Sequence, residues 1–587
     1  MLNSHQLDAV IADEPRILMI AGAGSGKTHT LVERLARLLT AGVMPSEILA
    51  LTFTRAAAEE MRERLEVRLP GRRPSFWRDI QVSTFHAWAA RTLRTYADRV
   101  GLVPHFSIYD EMDQEDLILY AAQEVGLAPG PGQKKRAGQL TSTRRLWQEE
   151  GVRKRYYGLL REAHAVDYDG LERLLLALLR QEDVAESIRA RRLHVLVDEA
   201  QDTSEGQQAI IDALNPRNLF VVGDSAQSIY SFRGAHVAGF VGLGARAEWR
   251  TIELPTNYRS LPAIVDAASR VAGAMATPGL RQAAAREGGD AGTVGELVGP
   301  DEGPLLADIL ERARAGAGWG DMAVLSPTWA PLEDLIPHLD RCEIPYVLAR
   351  KALAIWDTEP ARWLVHCLRV AVNPHDHAAL WGALNAFTPR ISLGDWARLR
   401  GAAGRAGVSV LDALCAGNVA PAIADSIRAV PAEGWPPEAD ALVERLREEL
   451  RLLHLDTKRE ELDAAAAAVH VWIDTRRAAG APAGVQDLLD WYSGRHVTEA
   501  ADQAAQGDRV LLGTIHSAKG LEWGDVWILG CQEGALPRHP DAAGEPIEEQ
   551  RRLFYVALTR GRDRVRFCRG EDARASRFVG EALSAIR

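Results

Sequence analysis

Ala21-Gly22-Ala23-Gly24-Ser25-Gly26-Lys27-Thr28 lies between an apolar run, Ile17-Leu18-Met19-Ile20, and a segment whose apolar residues Leu31, Val32, Leu35, Leu38 and Leu39 share one helical face. Strand, glycine-rich turn and helix in that order are the setting of a phosphate-binding loop. Glycine tolerates the dihedrals that let the backbone N–H groups of Gly24 and Gly26 curl around phosphate oxygens, and the helix start adds partial positive charge. Lys27 is expected to reach the β- and γ-phosphates and the Thr28 hydroxyl to ligate Mg²⁺. Ala21 stands where the motif usually begins with glycine. A glycine-rich turn beside an ordinary lysine shares the pattern, so the reading depends on the rest of the chain.

Val195-Leu196-Val197-Asp198-Glu199 reads as a strand ending in two acids. At the carboxyl edge of a parallel sheet they fall beside the phosphate loop. There Asp198 would hold Mg²⁺ and Glu199 would orient or deprotonate an attacking water. Paired acids after a strand are also common as solvated loop residues; the upstream loop and the following Gln201 and Asp202 favour the site.

The 587 residues suffice for about three to five domains, and 47% hydrophobic residues for several cores. No apolar run approaches a membrane span, and the N-terminus lacks a signal-peptide pattern. Cys342, Cys367, Cys415, Cys531 and Cys568 lack metal-ligand spacing, which points to a reducing cytoplasm and away from zinc or iron–sulfur sites. The net charge of −11 disfavours a protein that coats nucleic acid over its whole surface but admits a local basic channel. Lys134, Lys135, Arg136, Arg144, Arg145, Arg153, Lys154 and Arg155 form one basic patch, suited equally to a nucleic-acid backbone and to a solvated helical face.

Along the chain, Ile48–Phe53 reads as a strand and Ala56–Leu69 as a helix, which is α/β organisation with a parallel sheet. The strand signal disappears from about residue 94 to 185. It resumes at Leu193–Val197 and Leu219–Val222. A Gly/Ala-rich stretch at Arg286–Gly299 precedes another strand at Met322–Leu325. Residues from about 373 to 507 are again helical, with a break at Pro431–Pro437 and an alanine run at Ala464–Ala468. Strands return at Val510–Leu512 and Val526–Leu529. Two α/β domains, each interrupted by a helical insertion, describe this pattern.

The order of motifs resembles that of the superfamily 1 DNA helicases of the UvrD/Rep/PcrA family. Leu2-Asn3 with Gln6 resembles the family's adenine-reading motif, Thr52-Phe53-Thr54 motif Ia, Thr84-Phe85-His86 motif Ib and Asp198-Glu199-Ala200-Gln201-Asp202 motif II. Gly223-Asp224 with Gln227, followed by Ile229-Tyr230-Ser231-Phe232-Arg233-Gly234-Ala235, resembles motif III, and Asn257-Tyr258-Arg259-Ser260 motif IV. Thr514–Glu522 resembles motif V and Arg551–Arg560 motif VI. The resemblance implies two RecA-like P-loop motor domains, one from 1–93 and 186–258, the other from 259–372 and 508–587. Mostly helical insertions are then expected at 94–185 and 373–507.

The resemblance also implies roles. Ala23, Gly24, Ser25, Gly26, Lys27 and Thr28 cradle ATP, Gln6 reads the adenine edge, Tyr258 and His29 pack on the base, and Glu522 binds the ribose. Gln227 senses the γ-phosphate, and Arg259 and Arg560 reach it when the motor domains close. Arginine suits this task because its planar fork stays charged and binds phosphate bidentately. Phe53, Tyr230 and Phe232 are implied to stack on single-stranded DNA, worth about 1–3 kcal/mol per base, with His86, Arg233 and His516 lining the same groove. His29 stands where the family usually has arginine, which weakens the expected preference for adenine, and Phe232 stands for the commoner tryptophan. The second insertion is short, and its duplex-contacting element is reduced to Pro389-Arg390-Ile391-Ser392-Leu393-Gly394. The chain's end soon after Ser576-Arg577-Phe578 leads us to expect no partner-recruiting extension and leaves no room for a nuclease domain.

The expected activity is an ATP- and Mg²⁺-dependent 3′-to-5′ single-stranded DNA translocase and helicase acting in repair, replication or recombination. Its expected partners are single strands and single/double-strand junctions, with repair or replication proteins admitted. The alternative is a translocase that strips bound proteins with little unwinding. A GTPase is disfavoured because the guanine-recognition Asn-Lys-x-Asp is absent.

Overall fold

The computed structural model describes residues 2–127, 139–289, 293–349, 356, 358–387, 393–415, 440–441, 443–444, 446–447, 458–478, 482–493, 507–539, 541 and 543–584. Its strands in chain order are β1 (Arg16–Ala21), β2 (Ile48–Thr52), β3 (Gln81–Thr84), β4 (Ser107–Tyr109), β5 (Ala165–Asp167), β6 (His194–Val197), β7 (Asn218–Gly223), β8 (Arg250–Leu254), β9 (Thr256–Asn257), β10 (Ala283–Ala284), β11 (Val294–Gly299), β12 (Met322–Ser326), β13 (Tyr346–Leu348), β14 (Val510–Thr514), β15 (Trp523–Ile528) and β16 (Gly561–Gly570). The chain divides into two compact units. One comprises Met1–Phe85, Leu179–Ala352 and Val497–Arg587; the other comprises His86–Leu178 and Leu353–His496.

The first unit is α/β and holds two six-stranded sheets. One has the order β3-β2-β6-β7-β1-β8 and is parallel throughout. Its central strands are apolar on both faces, as a sheet covered by helices on each side requires: Ile17, Leu18, Met19, Val195, Leu196 and Val197 are all buried. Helix Lys27–Thr40 closes one face with Leu31, Val32, Leu35, Leu38 and Leu39. The chain leaves β1 for β2, three places away in the sheet, so β1, β7 and β6 end side by side at one carboxyl edge. That edge brings residues 21–27, 198–202 and 224–227 together.

The second sheet has the order β11-β16-β15-β12-β14-β13, also parallel. Val324, Leu512, Val526 and Phe567 fill its two apolar faces. Trp527 is buried on β15, and its indole N–H donates to Asp308 Oδ2 at 2.7 Å. The Arg564 guanidinium occupies the other oxygen at 2.7 Å. The parallel α/β organisation expected from sequence is the organisation found. Two strand features escape the apolar pattern. The stretch expected to lack strands contains β4 and β5, which pair in parallel, because three-residue strands are too short to show alternation. The Gly/Ala-rich stretch ends as β11, which pairs with β16.

The second unit is helical around that short strand pair. Tyr109, Leu117, Tyr156 and Leu159 form one core, and Leu364, Leu368, Val469 and Trp472 another. Buried polar side chains join its two chain segments. Arg369 donates to Asp113 Oδ2 at 2.7 Å and to the Ile108 carbonyl at 3.2 Å. Tyr109 donates to Asp376 Oδ1 at 2.6 Å, and Asn373 to the Ala163 carbonyl at 2.9 Å. The alanine run lies within helix Arg459–Ala478. Lys134–Arg136, Pro389–Ser392 and Pro431–Pro437 lie outside the described residues. Among the described residues, no helix is long and apolar enough to cross a membrane.

His377 begins helix His377–Phe387, is 2% exposed, and has no hydrogen-bond partner at Nε2. Burial first and the Arg400 charge second push its pKa down from 6.5 to about 3. A depressed histidine binds its proton in the unfolded chain first, so its stabilising share is full above pH 6.5 and is lost as pH falls toward 3. Between pH 6.5 and 5 that share is about 2 kcal/mol. We expect His377→Gln to flatten the acid limb of a urea-midpoint profile read by tryptophan fluorescence; equal limbs in both proteins would show that His377 does not carry it.

Candidate nucleotide and strand-binding site

The turn after β1 has Gly24 at φ +69° and Gly26 at φ +83°, left-handed values that suit glycine. Gly26 caps helix Lys27–Thr40 without any side-chain cap bond, which leaves the first-turn amides free of a capping acceptor. The loop is clamped from several sides. Ser25 Oγ donates to the Gly22 carbonyl at 2.8 Å, and the Gln6 amide donates to the Ser25 carbonyl at 2.9 Å. Asn257 Nδ2 donates to the Ala23 carbonyl at 2.8 Å, and the Tyr258 N–H donates to the Gly24 carbonyl at 2.8 Å. A Cβ on Gly24 would sit 2.6 Å from Arg259 Cβ and 2.8 Å from Asn257 Oδ1. A Cβ on Gly22 would meet the Gln282 carboxamide at 2.4 Å. The backbone is thus shaped with no room for side chains.

Lys27 Nζ stands 3.5 Å from Glu199 Oε1 and is buried without a hydrogen-bond partner. Glu199 sits at φ +50°, an uncommon value for a residue other than glycine, on the tight turn that follows β6. The Gln201 amide donates to its carboxylate, and Gln201 Oε1 accepts from the Asp224 N–H at 3.0 Å. Burial and the neighbouring Glu199 charge raise the pKa of Asp198 against the pull of Lys27. Burial opposes ionisation of Glu199 as well, but Lys27, Lys519, the Gln201 hydrogen bond and Arg560 together hold its pKa low. A charged carboxylate thus faces a buried ammonium that lacks a hydrogen-bond acceptor, beside a second carboxyl group that favours its proton. This donor set fits a polyanion with a divalent cation. Thr28 and Asp198 are oxygen donors of the kind Mg²⁺ takes.

The turns after β9 and before β16 bring cations to the same edge. Arg560, 1% exposed, donates through Nε to the Val556 carbonyl at 2.9 Å, through Nη1 to the Leu521 carbonyl at 3.1 Å and through Nη2 to Gln227 Oε1 at 3.4 Å. Burial and the nearby Arg259 charge bring its pKa down to about 9, so it remains a cation at neutral pH. Gln227 also donates to Asp224 Oδ2 at 2.7 Å. Arg259 pairs with Glu522 and donates to the Thr559 carbonyl at 3.3 Å. Tyr258 is half exposed, with its hydroxyl accepting from Asn3 at 2.6 Å, and His29 is exposed on the first turn of its helix.

Phe53 and Tyr230 stack, with centroids 4.9 Å apart and planes 21° from parallel. Phe232 lies 6.1 Å from Tyr230 and 5.5 Å from His516, and Phe232 is 64% exposed, a marked exposure for so large an apolar ring. Arg233 ends the short turn Ser231–Arg233 that carries Phe232. His86 belongs to the helical unit, where Nε2 faces Glu172 at 3.3 Å and the ring lies 4.9 Å from Tyr168. Within the basic patch, Arg155 is held by Glu124 and Glu162, and Arg153 donates to the Trp147 carbonyl at 2.9 Å, so both are engaged internally.

Gln6, Lys27, Asp198, Glu199, Gln227, Arg259, Glu522 and Arg560 therefore come from seven separate stretches of chain to one sheet edge and its facing side chains. Sequence reasoning did not single out Asn257, Asp224, Gln282 or Lys519. Asn257, Asp224 and Lys519 stood inside quoted motifs, and for the first two the position beside a strand end was the available signal. Gln282 lies just before the Gly/Ala-rich stretch and carries no local signal.

A family model described as the UvrD/REP helicase N-terminal domain matches residues 2–135 and 120–246, and one described as the UvrD-like helicase C-terminal domain matches residues 482–568. The protein named ATP-dependent DNA helicase UvrD1 of Mycobacterium tuberculosis is 33% identical over 639 residues, covering 96% of this chain and 81% of its own. That of Mycobacterium leprae is 32% identical, covering 96% and 82%. The protein named ATP-dependent DNA helicase PcrA of Staphylococcus aureus is 28% identical, covering 100% and 86%.

Gly234 has φ +86° with nothing near its missing Cβ, whereas Gly24 combines a positive φ with the Arg259 and Asn257 contacts. Gly234→Ala is expected to cost only the left-handed penalty, about 1–2 kcal/mol. Gly24→Ala should cost measurably more in the same denaturation experiment, and equal losses would mean that the loop is not held by Arg259 and Asn257.

Proposed function

This chain belongs to the UvrD/REP helicase family, and we propose from that membership and its site chemistry that it hydrolyses ATP to move 3′ to 5′ along single-stranded DNA and separate strands. The observation that carries the reading is the Arg560 contact with Gln227, beside Lys27 and Glu199. An arginine and a glutamine separated by 333 positions meet where a terminal phosphate would complete the set of charges. We assign ATP to Ala23–Thr28, with Gln6, His29, Tyr258 and Glu522 around the nucleoside. Thr28 and Asp198 would hold Mg²⁺, which supplies charge neutralisation on the triphosphate.

In this reading Glu199, ionised and fixed by Gln201, orients the attacking water and accepts its proton. Lys27 stabilises charge on the transferred group from the first sheet, Arg560 from the start of β16 in the second, and Arg259 from the turn after β9. Because Lys27 and Arg560 belong to different sheets, their joint action depends on closure, and hydrolysis is tied to lobe motion. Phe53, Tyr230, Phe232, Arg233 and His516 form the proposed strand track, and we assign His86 of the helical unit to DNA contact as well. Stacking on them is tolerant of sequence because every base has a π-face. The proposed substrates are single strands and single/double-strand junctions met in repair, replication or recombination. The cytoplasm is the proposed site of action.

Lys27→Ala is expected to abolish nucleotide binding in a fluorescent-ATP titration. Glu199→Gln should retain binding while lowering turnover about 10²–10⁴-fold. Displacement from 3′-tailed but not 5′-tailed duplexes tests the direction; equal use of both tails refutes it, and DNA-stimulated ATP turnover without displacement favours a protein-stripping translocase instead.

A further inference from the structure

Lys519 lies on the turn after β14, close behind His516, and its ammonium is almost fully enclosed. It pairs with Asp202, whose side chain is fully buried, and donates to the Gln227 carbonyl at 2.7 Å. It also stands 4.9 Å from the centre of the Tyr230 ring. An ammonium has three donors; Asp202 and the Gln227 carbonyl take two, and the third is left for the ring face. One side chain thus touches the acid turn that carries Glu199, the loop that carries Gln227, and the aromatic cluster. Asp202 is tied back to the acid turn through its N–H, which donates to the Glu199 carbonyl at 2.9 Å. Its second oxygen is buried without a hydrogen-bond partner, so a displaced ammonium has somewhere to move.

The aromatic cluster is closed. The Phe53 and Tyr230 centroids are 4.9 Å apart, whereas a base held between two rings needs about 7 Å, two van der Waals layers. A base entering there must move one of the rings, and movement of Tyr230 disturbs the Lys519 contact. We propose that Lys519 is a positioning residue that reports strand occupancy at Tyr230 to Asp202, Glu199 and Gln227, so that turnover rises when a base is bound. The inference rests on the helicase reading and names the wire within it. Lys519 touches no reacting atom in this scheme.

The test is ATP turnover by the full chain with and without oligo(dT), together with oligo(dT) affinity by fluorescence anisotropy. Lys519→Met should lower the ratio of stimulated to unstimulated turnover about tenfold, with oligo(dT) affinity little changed, and Lys519→Arg should restore most of the ratio. A purely structural role would lower both rates together and leave the ratio intact, which would overturn the proposal, as would a Met variant that keeps the ratio within about twofold. Asp202→Asn breaks the same ion pair from the other side and reads the same ratio should Lys519→Met fail to fold. The double variant should be no worse than the more impaired single one, because the two residues act as one unit; additive losses overturn the pairing. A wild-type chain with no DNA stimulation sinks the helicase reading itself, whereas stimulation that survives in every variant sinks only the role of Lys519.

Discussion

Lys27, Asp198, Glu199, Lys519 and Arg560 face one another in a space from which water is largely excluded, and each charge is tolerable because of the others. A buried ion loses several kcal/mol of hydration. Glu199 keeps its proton off only through Lys27, Lys519, Arg560 and the Gln201 amide, and Asp198 beside it is driven the other way. Removing Lys27, Lys519 or Arg560 takes away a charge that holds the Glu199 carboxylate ionised. The group is therefore better described as a single electrostatic object than as a set of contacts, and both sheets must be present for it to exist.

The fold supplies that condition through topology. In each sheet all strands run in parallel, so their carboxyl ends share an edge, and loops leaving that edge can converge without long excursions. The left-handed turns at Gly24, Gly26 and Glu199 bring backbone amides and carboxylates to the edge at some conformational cost. Asn257 is central to this arrangement. It lies on β9, just beyond the last strand of the first sheet, accepts the N–H groups of Arg259 and Ser260 at its own oxygen, and gives its amide to the phosphate loop. One side chain thereby fixes the loop and sets the direction in which Arg259 leaves the backbone.

Much of this was legible in the sequence, for definable reasons. The long apolar runs at Ile17–Ile20, Leu193–Val197 and Met322–Leu325 are buried on both faces, so composition alone reveals them. Residues whose position is set by the backbone, such as Lys27 one step after Gly26 or Glu199 two steps after the end of its strand, follow from spacing. What escaped depends on distance along the chain. Gln282 against Gly22, and Lys519 against Asp202, join residues hundreds of positions apart with no periodicity to mark them. The same holds for the helical unit, where Arg369 and Asp113, or Asn373 and the Ala163 carbonyl, draw two remote segments into one body. The three-residue strands β4 and β5 gave no alternation to read.

The two arginines facing this site, Arg259 after β9 and Arg560 before β16, differ in a way that bears on how such a site works. Arg560 is enclosed and anchored to two carbonyls, so its guanidinium is already oriented before anything binds. Arg259 instead pairs with Glu522, whose side chain is 41% exposed. An exposed ion pair of this kind is worth about 1 kcal/mol or less, little against a multiply charged phosphate. Arg259 is thus restrained but cheaply released, while Arg560 is fixed. On the proposed reading, a polyanion arriving at Lys27 would find one arginine in place and would draw the other from its carboxylate, leaving Glu522 with Arg562, 4.0 Å away. Such an exchange would give the nucleotide leverage over the second lobe.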